Sequence, residues 1–85
     1  MLVSKPGKIM TVDIHGMTAD DAKSQLQKLL SRIGPKTEEL LVIHGYNSGR
    51  RLKDMVQREL KHPRIQSKLL SLNAGQTRIL LKKPE

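Results

Sequence analysis

The sequence predicts an α/β fold: a two-layer βαβαββ domain with two helices on a four-stranded mixed sheet. Short apolar runs alternate with runs of helical period, which indicates strands that return through helices. The tripeptide Ile-His-Gly occurs twice, at 14–16 and 43–45, and each copy stands between a strand-like and a helix-like run. The copies are 29 residues apart, about one strand–loop–helix–loop unit. We therefore expect the two preceding strands to be parallel neighbours, joined by a right-handed crossover.

The first strand and helix follow a short lead. Residues 1–8 show little apolar pattern and are predicted to be a flexible N-terminal lead, followed by a single domain at 9–83. The strand is expected at Ile9–Ile14, with alternate side chains on opposite faces. Thr18 is predicted to be the N-cap of the helix, and Gly34-Pro35 to end it. The buried stripe of this helix comprises Ala22, Leu26, Leu29, Leu30 and Ile33.

The second half repeats the strand and helix and adds a hairpin. The unbroken apolar run of Leu40–His44 predicts a central strand that is buried on both faces. A helix is expected over about Arg50–Lys61, with a buried stripe of Leu52, Met55, Val56 and Leu60. Strands at Ile65–Leu72 and Thr77–Lys82 are predicted to be joined by a turn at residues 73–76.

The charge of the chain points to a polyanionic partner. The net charge is +8, and it is uneven: residues 1–45 carry six Lys/Arg against five Asp/Glu, whereas residues 46–85 carry ten against three. A folded domain with one basic half is typical of nucleic-acid binding. Tyr46 is the only aromatic residue, which argues against base stacking on aromatic platforms. Contacts to phosphates and grooves are therefore expected.

Composition also excludes several classes of protein. Without cysteine there is no disulfide, no thiolate zinc site and no cysteine nucleophile. No apolar run approaches the roughly 20 residues of a membrane span, and no signal peptide is visible. We expect a cytoplasmic, monomeric protein that does not bind membranes.

Asp13 and His15 are the first candidates for chemistry. They lie two residues apart on a strand, so their side chains point the same way. A carboxylate beside an imidazole can orient it or share a metal, and either group can serve as a base in phosphodiester cleavage. His44 is expected at the same sheet edge, in one crevice with His15. Two interpretations of His44 stay open: an acid, base or phosphate contact, or a buried imidazole held by loop backbone.

A loop and the helix after it form the second candidate region. The loop 45–49 leads directly into a helix start, where backbone N–H groups attract anions. Arg50, Arg51 and Lys53 lie in the first helical turn, where the helix dipole disfavours cations. The presence of cations at this unfavourable position suggests that phosphate is bound there. Arg78 is expected to extend the basic surface.

Three blocks of the sequence resemble the Smr (small MutS-related) domain family over about residues 9–82. Residues 12–16, Val-Asp-Ile-His-Gly, resemble the leading LDxHG block of that family. Residues 42–49 resemble its central HGxGxG block, and residues 73–80 its final turn and strand. The resemblance implies a fold related to the C-terminal domain of translation initiation factor 3. It also implies nucleic-acid binding, with DNA-nicking or RNA endonuclease activity in some members.

The resulting hypothesis is a small endonuclease that acts on DNA or RNA. The expected catalytic residues are Asp13, His15 and His44, and the expected phosphate-binding residues are Gly45, Tyr46, Asn47, Ser48, Gly49, Arg50, Arg51, Lys53 and Arg78. Asn47 departs from the central block, which has glycine there. No metal motif is present. Mg²⁺ is the only candidate cofactor, and Asp13 alone supplies few of the ligands that this ion requires. Two alternatives stay open: a non-catalytic nucleic-acid or ribosome-binding module, and a protein-interaction adaptor.

Overall fold

Helices cover one face of a mixed sheet, as the sequence predicts. The computed structural model describes residues 1–5, 7–45 and 50–83. In chain order its elements are β1 (Leu2–Val3), β2 (Ile9–Asp13), α1 (Ala19–Arg32), β3 (Glu39–Ile43), α2 (Arg51–Asp54) with a π-helical continuation (Met55–Glu59), β4 (Ile65–Leu70) and β5 (Gln76–Leu81). The strand order is β1-β2-β3-β5-β4. β2 and β3 are parallel, and the other neighbouring pairs are antiparallel.

The sheet has five strands among the described residues rather than the expected four. Leu2 and Val3 pair with the end of β2, and the backbone N–H of Ser4 donates to the carbonyl of Thr11 at 2.8 Å. The hydroxyl of Ser4 accepts from the N–H of Thr11 in return, also at 2.8 Å. Residues 2–4, expected to belong to a flexible lead, therefore extend the sheet by one edge strand.

The core is aliphatic and lies between the sheet and the helices. The residues of the sheet that face the helices are buried: Met10 and Val12 on β2 with Ile14 directly after it, Leu40 and Val42 on β3, and Thr77, Ile79 and Leu81 on β5. The predicted stripe of α1 is buried against them. The expectation that β3 is buried on both faces is wrong, because Leu41 and Ile43 are only half-buried. The helices cover one face of the sheet, and the opposite face is open.

Helix α1 begins and ends where the sequence places its signals. The hydroxyl of Thr18 accepts from the backbone N–H of Asp21 at 3.2 Å, which satisfies one of the free donors at the helix start. Asp20 and Asp21 lie in the first turn, where negative charge interacts favourably with the helix dipole. The final N–H, that of Ile33, donates to the carbonyl of Leu29 at 2.9 Å. These contacts fix the position of the loop between β2 and α1.

The second helix is shorter than expected and changes its hydrogen-bond pattern. One α-helical turn, Arg51–Asp54, passes into the π-helical segment, and the N–H of Leu60 donates to the carbonyl of Met55 at 2.7 Å. The ammonium group of Lys68 on β4 donates to the carbonyls of Leu60 and Gln57 at this helix end. Burial, with a smaller contribution from Lys61, lowers the pKa of Lys68. Lys68 therefore stabilises the helix end.

None of the helices in residues 1–5, 7–45 and 50–83 has the length and apolar character needed to span a lipid bilayer.

Candidate nucleic-acid interface and active site

The two Ile-His-Gly copies meet at one edge of the sheet. The carboxyl ends of β2 and β3 are level, and the N–H of Ile14 donates to the carbonyl of Ile43 at 2.9 Å. Gly16 and Gly45 follow with φ angles of +81° and +75°, a left-handed conformation that other residues rarely adopt. The predicted convergence of the two copies at the carboxyl edge of parallel strands is confirmed.

The two histidines nevertheless lie on opposite faces of the sheet. The strand register pairs Asp13 with Ile43, an offset of 30 residues, whereas the copies are 29 residues apart. A difference of one residue reverses the face to which a side chain points. His15 consequently shares the open face with Asp13, and His44 faces the helices. The expected crevice with two imidazoles is therefore not formed.

Asp13 and His15 form a hydrogen-bonded pair on the open face. The carboxylate Oδ1 of Asp13 accepts from Nδ1 of His15 and also from the backbone N–H of His15, the latter at 3.0 Å. The two bonds to one oxygen fix both the turn after β2 and the orientation of the ring. The His15 side chain is 66% exposed, and that of Asp13 is 24% exposed. The Nε2 edge of His15 is therefore held towards solvent.

The environment of Asp13 favours its ionised form. Partial burial acts to raise the pKa of this carboxyl, but the hydrogen bonds from the His15 ring and backbone and the attraction to a charged His15 outweigh it. The pKa of Asp13 consequently lies below its ordinary value of 3.8. At neutral pH Asp13 is a carboxylate that can hold the Nδ1 proton of His15 and stabilise an imidazolium.

His44 lies in a buried chain of hydrogen bonds beneath the same edge. Its side chain is fully buried, with Nδ1 3.0 Å from the carbonyl of Gly45 and Nε2 2.9 Å from the hydroxyl of Thr77. The amide of Gln57 donates to that hydroxyl at 3.1 Å. A neutral imidazole with its proton on Nδ1 satisfies every group, because Thr77 then donates to Nε2. This geometry matches the second interpretation, a buried imidazole held by loop backbone.

Gly45 brings the two histidine segments together. A Cβ atom on Gly45 would lie 3.5 Å from Cβ of His15, so the backbone segments after β2 and β3 are in contact there. The carbonyl of Gly75, in the turn between β4 and β5, accepts from the N–H groups of both His44 and Gly45 at 2.9 Å. The end of β3 is therefore held against both the end of β2 and the turn before β5, next to His15.

The starts of both helices lie beside this edge. Met17, Thr18, Ala19 and Asp20 from the start of α1 and Arg51 and Leu52 from α2 line one shallow depression. Arg50 is the N-cap of α2, and both Arg50 and Arg51 are exposed, whereas Lys53 is half-buried. Arg51 and Lys53 therefore lie in the first turn of the second helix as expected, and Arg50 directly precedes it; phosphate binding by the three cations stays a prediction.

The sequence matches the Smr domain family model over residues 12–79, which is most of the chain. The chain belongs to the Smr domain family. Among solved structures, it is similar to the Smr domain of Thermus thermophilus MutS2, with a TM-score of 0.67 and 20% identity. The alignment covers 85% of this chain and 96% of that domain, so most of the fold is shared. A search of curated proteins gave no significant match.

Among the predicted residues of this Smr domain, Arg78 lies away from the other candidates. Arg78 donates to the carboxylate of Glu39 at 2.7 Å, and this pair raises the pKa of Arg78. Glu39 begins β3, so the guanidinium group is directed away from the His15 edge. Residues 46–49, expected to bind phosphate, lie outside the described residues.

Two residues of this site were not expected from the sequence. Thr77 and Gln57 complete the buried chain that ends at Gly45. A signal for Thr77 was present, because it is the polar member of the alternating buried positions 77, 79 and 81. Within the described ranges, no group of three His, Asp or Glu side chains could hold a metal ion.

Proposed function

We propose that this Smr domain binds nucleic acid and cleaves its phosphodiester backbone, with His15 as the general base. The observation that carries the proposal is the Asp13–His15 pair, in which a carboxylate orients an exposed imidazole at a basic sheet edge. Carboxylate–imidazole pairs of this kind activate oxygen nucleophiles. The Smr domain family is known for nucleic-acid binding and nuclease activity, which supports the assignment.

The chemistry follows from the protonation state that Asp13 imposes. With the proton of His15 held on Nδ1, the lone pair of Nε2 is free to accept a proton from a water molecule or from a ribose 2′-hydroxyl. The oxygen that loses this proton attacks phosphorus, and the bond from phosphorus to the leaving oxygen breaks. Asp13 stabilises the imidazolium that forms, because its carboxylate remains bonded to Nδ1.

The basic residues beside the pair would hold the substrate. Arg50 and Arg51 are exposed at the same edge, where each can bind one phosphate. Other cations of the basic half have internal partners: Arg78 binds Glu39, and Lys68 binds helix carbonyls. Arg64 donates to the carbonyl of Ile33 at 2.8 Å. The net charge of +8 therefore overstates the number of side chains that face a ligand.

A cleavage assay tests the proposal. Wild type, His15→Ala and Asp13→Asn are incubated with supercoiled plasmid and with end-labelled single-stranded RNA, with Mg²⁺ and with EDTA. We expect wild type to cleave one substrate, and His15→Ala to bind that substrate with unchanged affinity but cleave it at least a hundredfold more slowly, a typical contribution of a general base. Full activity of both variants would contradict the proposal.

A second candidate is a non-catalytic nucleic-acid-binding module. The burial of His44 favours it, because a single imidazole then remains on the open face and no second one is there to protonate the leaving oxygen. The same assay separates the candidates. Binding of plasmid or RNA without cleavage in either buffer would support the module.

A further inference from the structure

A chain of hydrogen bonds leads from the second helix to the backbone beside His15. The amide of Gln57, in the π-helical segment, donates to the hydroxyl of Thr77 at 3.1 Å, and that hydroxyl lies 2.9 Å from Nε2 of His44. Nδ1 of His44 lies 3.0 Å from the carbonyl of Gly45. Thr77 and His44 are fully buried, and no buried side-chain nitrogen or oxygen of the described residues lacks a partner. The chain is therefore complete from the helix to Gly45.

With a neutral imidazole, the bonds of this chain run in one direction. Nδ1 of His44 faces a carbonyl oxygen, which only accepts, so Nδ1 carries the ring proton and Nε2 is an acceptor. The single hydroxyl proton of Thr77 is then used on Nε2, and its oxygen is left as an acceptor. The NH2 group of Gln57 supplies the donor that this oxygen requires. Neither a carboxylate nor an apolar side chain at position 57 can supply it.

Gly45 is the residue that this chain holds in place. Its N–H donates to the carbonyl of Gly75 at 2.9 Å, and its carbonyl accepts from the ring of His44, so both polar groups of its backbone are bonded. Gly45 has a φ of +75°, and a Cβ atom on it would lie 3.5 Å from Cβ of His15. A change in the direction of the Gly45 carbonyl would therefore move the backbone against which His15 packs.

Gln57 also connects the helix start that carries Arg51 to this sheet edge. The α-helical turn 51–54 passes directly into the π-helical residues 55–59, and π-helical turns are frequent at functional sites. The buried side chains of this segment are apolar: Leu52, Met55 and Val56. Apolar contacts are non-directional, so they do not fix how the helix is oriented on the sheet. The bond from Gln57 to Thr77 is directional and fixes it.

We propose that Gln57 and Thr77 are positioning residues for the reaction at His15. Through His44 they hold the backbone of Gly45 against His15, and they orient the basic helix start over the same edge. The inference rests on the proposed function and adds two residues that act through the backbone rather than on the substrate. A displacement of about 1 Å far from the reacting atoms can slow a reaction about a hundredfold, so residues that only fix a geometry can control its rate.

Matched threonine variants test the inference. Thr77→Val keeps the shape of the side chain and removes the hydroxyl, whereas Thr77→Ser keeps the hydroxyl. Gln57→Met removes the donor from a half-buried position and is the milder second variant. Thr37→Val is the control, because Thr37 is also buried but its hydroxyl donates to the carbonyl of Gly7 at 2.7 Å, at the opposite end of β3 from His44. Unfolding midpoints are measured, so that every rate is taken on folded protein.

Cleavage kinetics give the first readout. On the substrate that wild type cleaves, we expect kcat to fall about tenfold to a hundredfold in Thr77→Val, and to fall by a smaller factor in Gln57→Met. KM should change little, because the exposed Arg50 and Arg51 still reach the phosphates. Thr77→Ser should recover most of the rate, and Thr37→Val should cleave as wild type does. Wild-type kcat in both Thr77→Val and Gln57→Met would overturn the inference, as would an equal fall of kcat in Thr37→Val.

Imidazole NMR of ¹⁵N-labelled protein gives a readout that does not depend on activity. In wild type, His44 should show a slowly exchanging proton on Nδ1 and an unprotonated Nε2. In Thr77→Val and Gln57→Met, we expect this proton to exchange with solvent about tenfold faster, the effect of one lost hydrogen bond, and the amide signal of Gly45 to shift. Thr37→Val should match wild type. An unchanged exchange rate with an unchanged Gly45 signal in Thr77→Val and Gln57→Met would overturn the inference.

The two readouts separate failure of the inference from failure of the proposed function. If wild type cleaves neither plasmid nor RNA, the proposed function fails, and the NMR readout alone decides whether Gln57 and Thr77 hold Gly45. If wild type cleaves and neither readout responds to Thr77→Val or Gln57→Met, only the inference fails.

Discussion

Replacement of His44 by alanine is expected to destabilise the fold rather than remove a reacting group. The imidazole is fully buried and bonded to the carbonyl of Gly45 and the hydroxyl of Thr77. Thr77 keeps its bond from Gln57, so about one buried polar group loses its partner, which costs about 1–3 kcal/mol. The cavity left by the ring adds to this, for a total of about 3 kcal/mol. In a domain of this size, that loss lowers Tm by roughly 15 °C.

Urea unfolding followed by circular dichroism measures this loss. His15→Ala is the matched control, because the His15 side chain is largely exposed and its removal takes away only a partly exposed bond to Asp13, which should cost about 1 kcal/mol or less. We expect His15→Ala to lose cleavage and keep most of its stability, and His44→Ala to lose about 3 kcal/mol. If His44→Ala unfolds within about 0.5 kcal/mol of wild type and yet fails to cleave, the structural role assigned to His44 is refuted.

Three further predictions concern Gly45, Asp13 and Arg51. Gly45→Ala should lower the free energy of unfolding by about 1–2 kcal/mol in urea melts, because Gly45 has a φ of +75°, whereas Gly34→Ala, with open space at Cβ, should have little effect. The pKa of Asp13 is lowered by folding, so its carboxylate contributes stability above the unfolded value of about 3.8 that is lost as the pH falls through the folded value. The stability difference between wild type and Asp13→Asn should therefore be present in urea melts at pH 7 and vanish at the acid end; a difference independent of pH would contradict this. Arg51→Gln should reduce the salt slope of nucleic-acid binding by about 1, and Arg78→Gln should leave it unchanged, because Glu39 already holds Arg78.

Local sequence signals predicted most of the fold. The Thr18 cap, the apolar stripe of α1 and the turn at Asn73 depend on residues close together in sequence, and all three are present. The boundaries of the second helix were less predictable. Its π-helical segment is associated with the tertiary contact from Lys68, which no local pattern indicates.

The candidate site shows where sequence reasoning fails. Asp13 and His15 are two residues apart on one strand, so their pairing follows from strand geometry alone. The position of His44 depends on the register between β2 and β3, and a repeat spacing of 29 does not reveal a register offset of 30. The ion pair of Arg78 could not be predicted either, because its partner Glu39 lies on another strand. Side-chain contacts between strands depend on the register, which the sequence pattern does not give.

The β1 strand shows the same limitation at the end of the chain. Leu2–Val3 is too short for a periodic signal, and its pairing with β2 uses backbone groups that any sequence provides. A two-residue strand can therefore be predicted only when the strand with which it pairs, here β2, is known to lie at the sheet edge.

Chemical rescue of His15→Ala tests the central claim most directly. The rate of cleavage is measured on the substrate that wild type cleaves, without and with added imidazole, and again with the double variant Asp13→Asn, His15→Ala. If Asp13 holds His15 as the general base, imidazole should restore part of the lost rate in His15→Ala, and less in the double variant. Wild-type activity in His15→Ala without imidazole would contradict the claim.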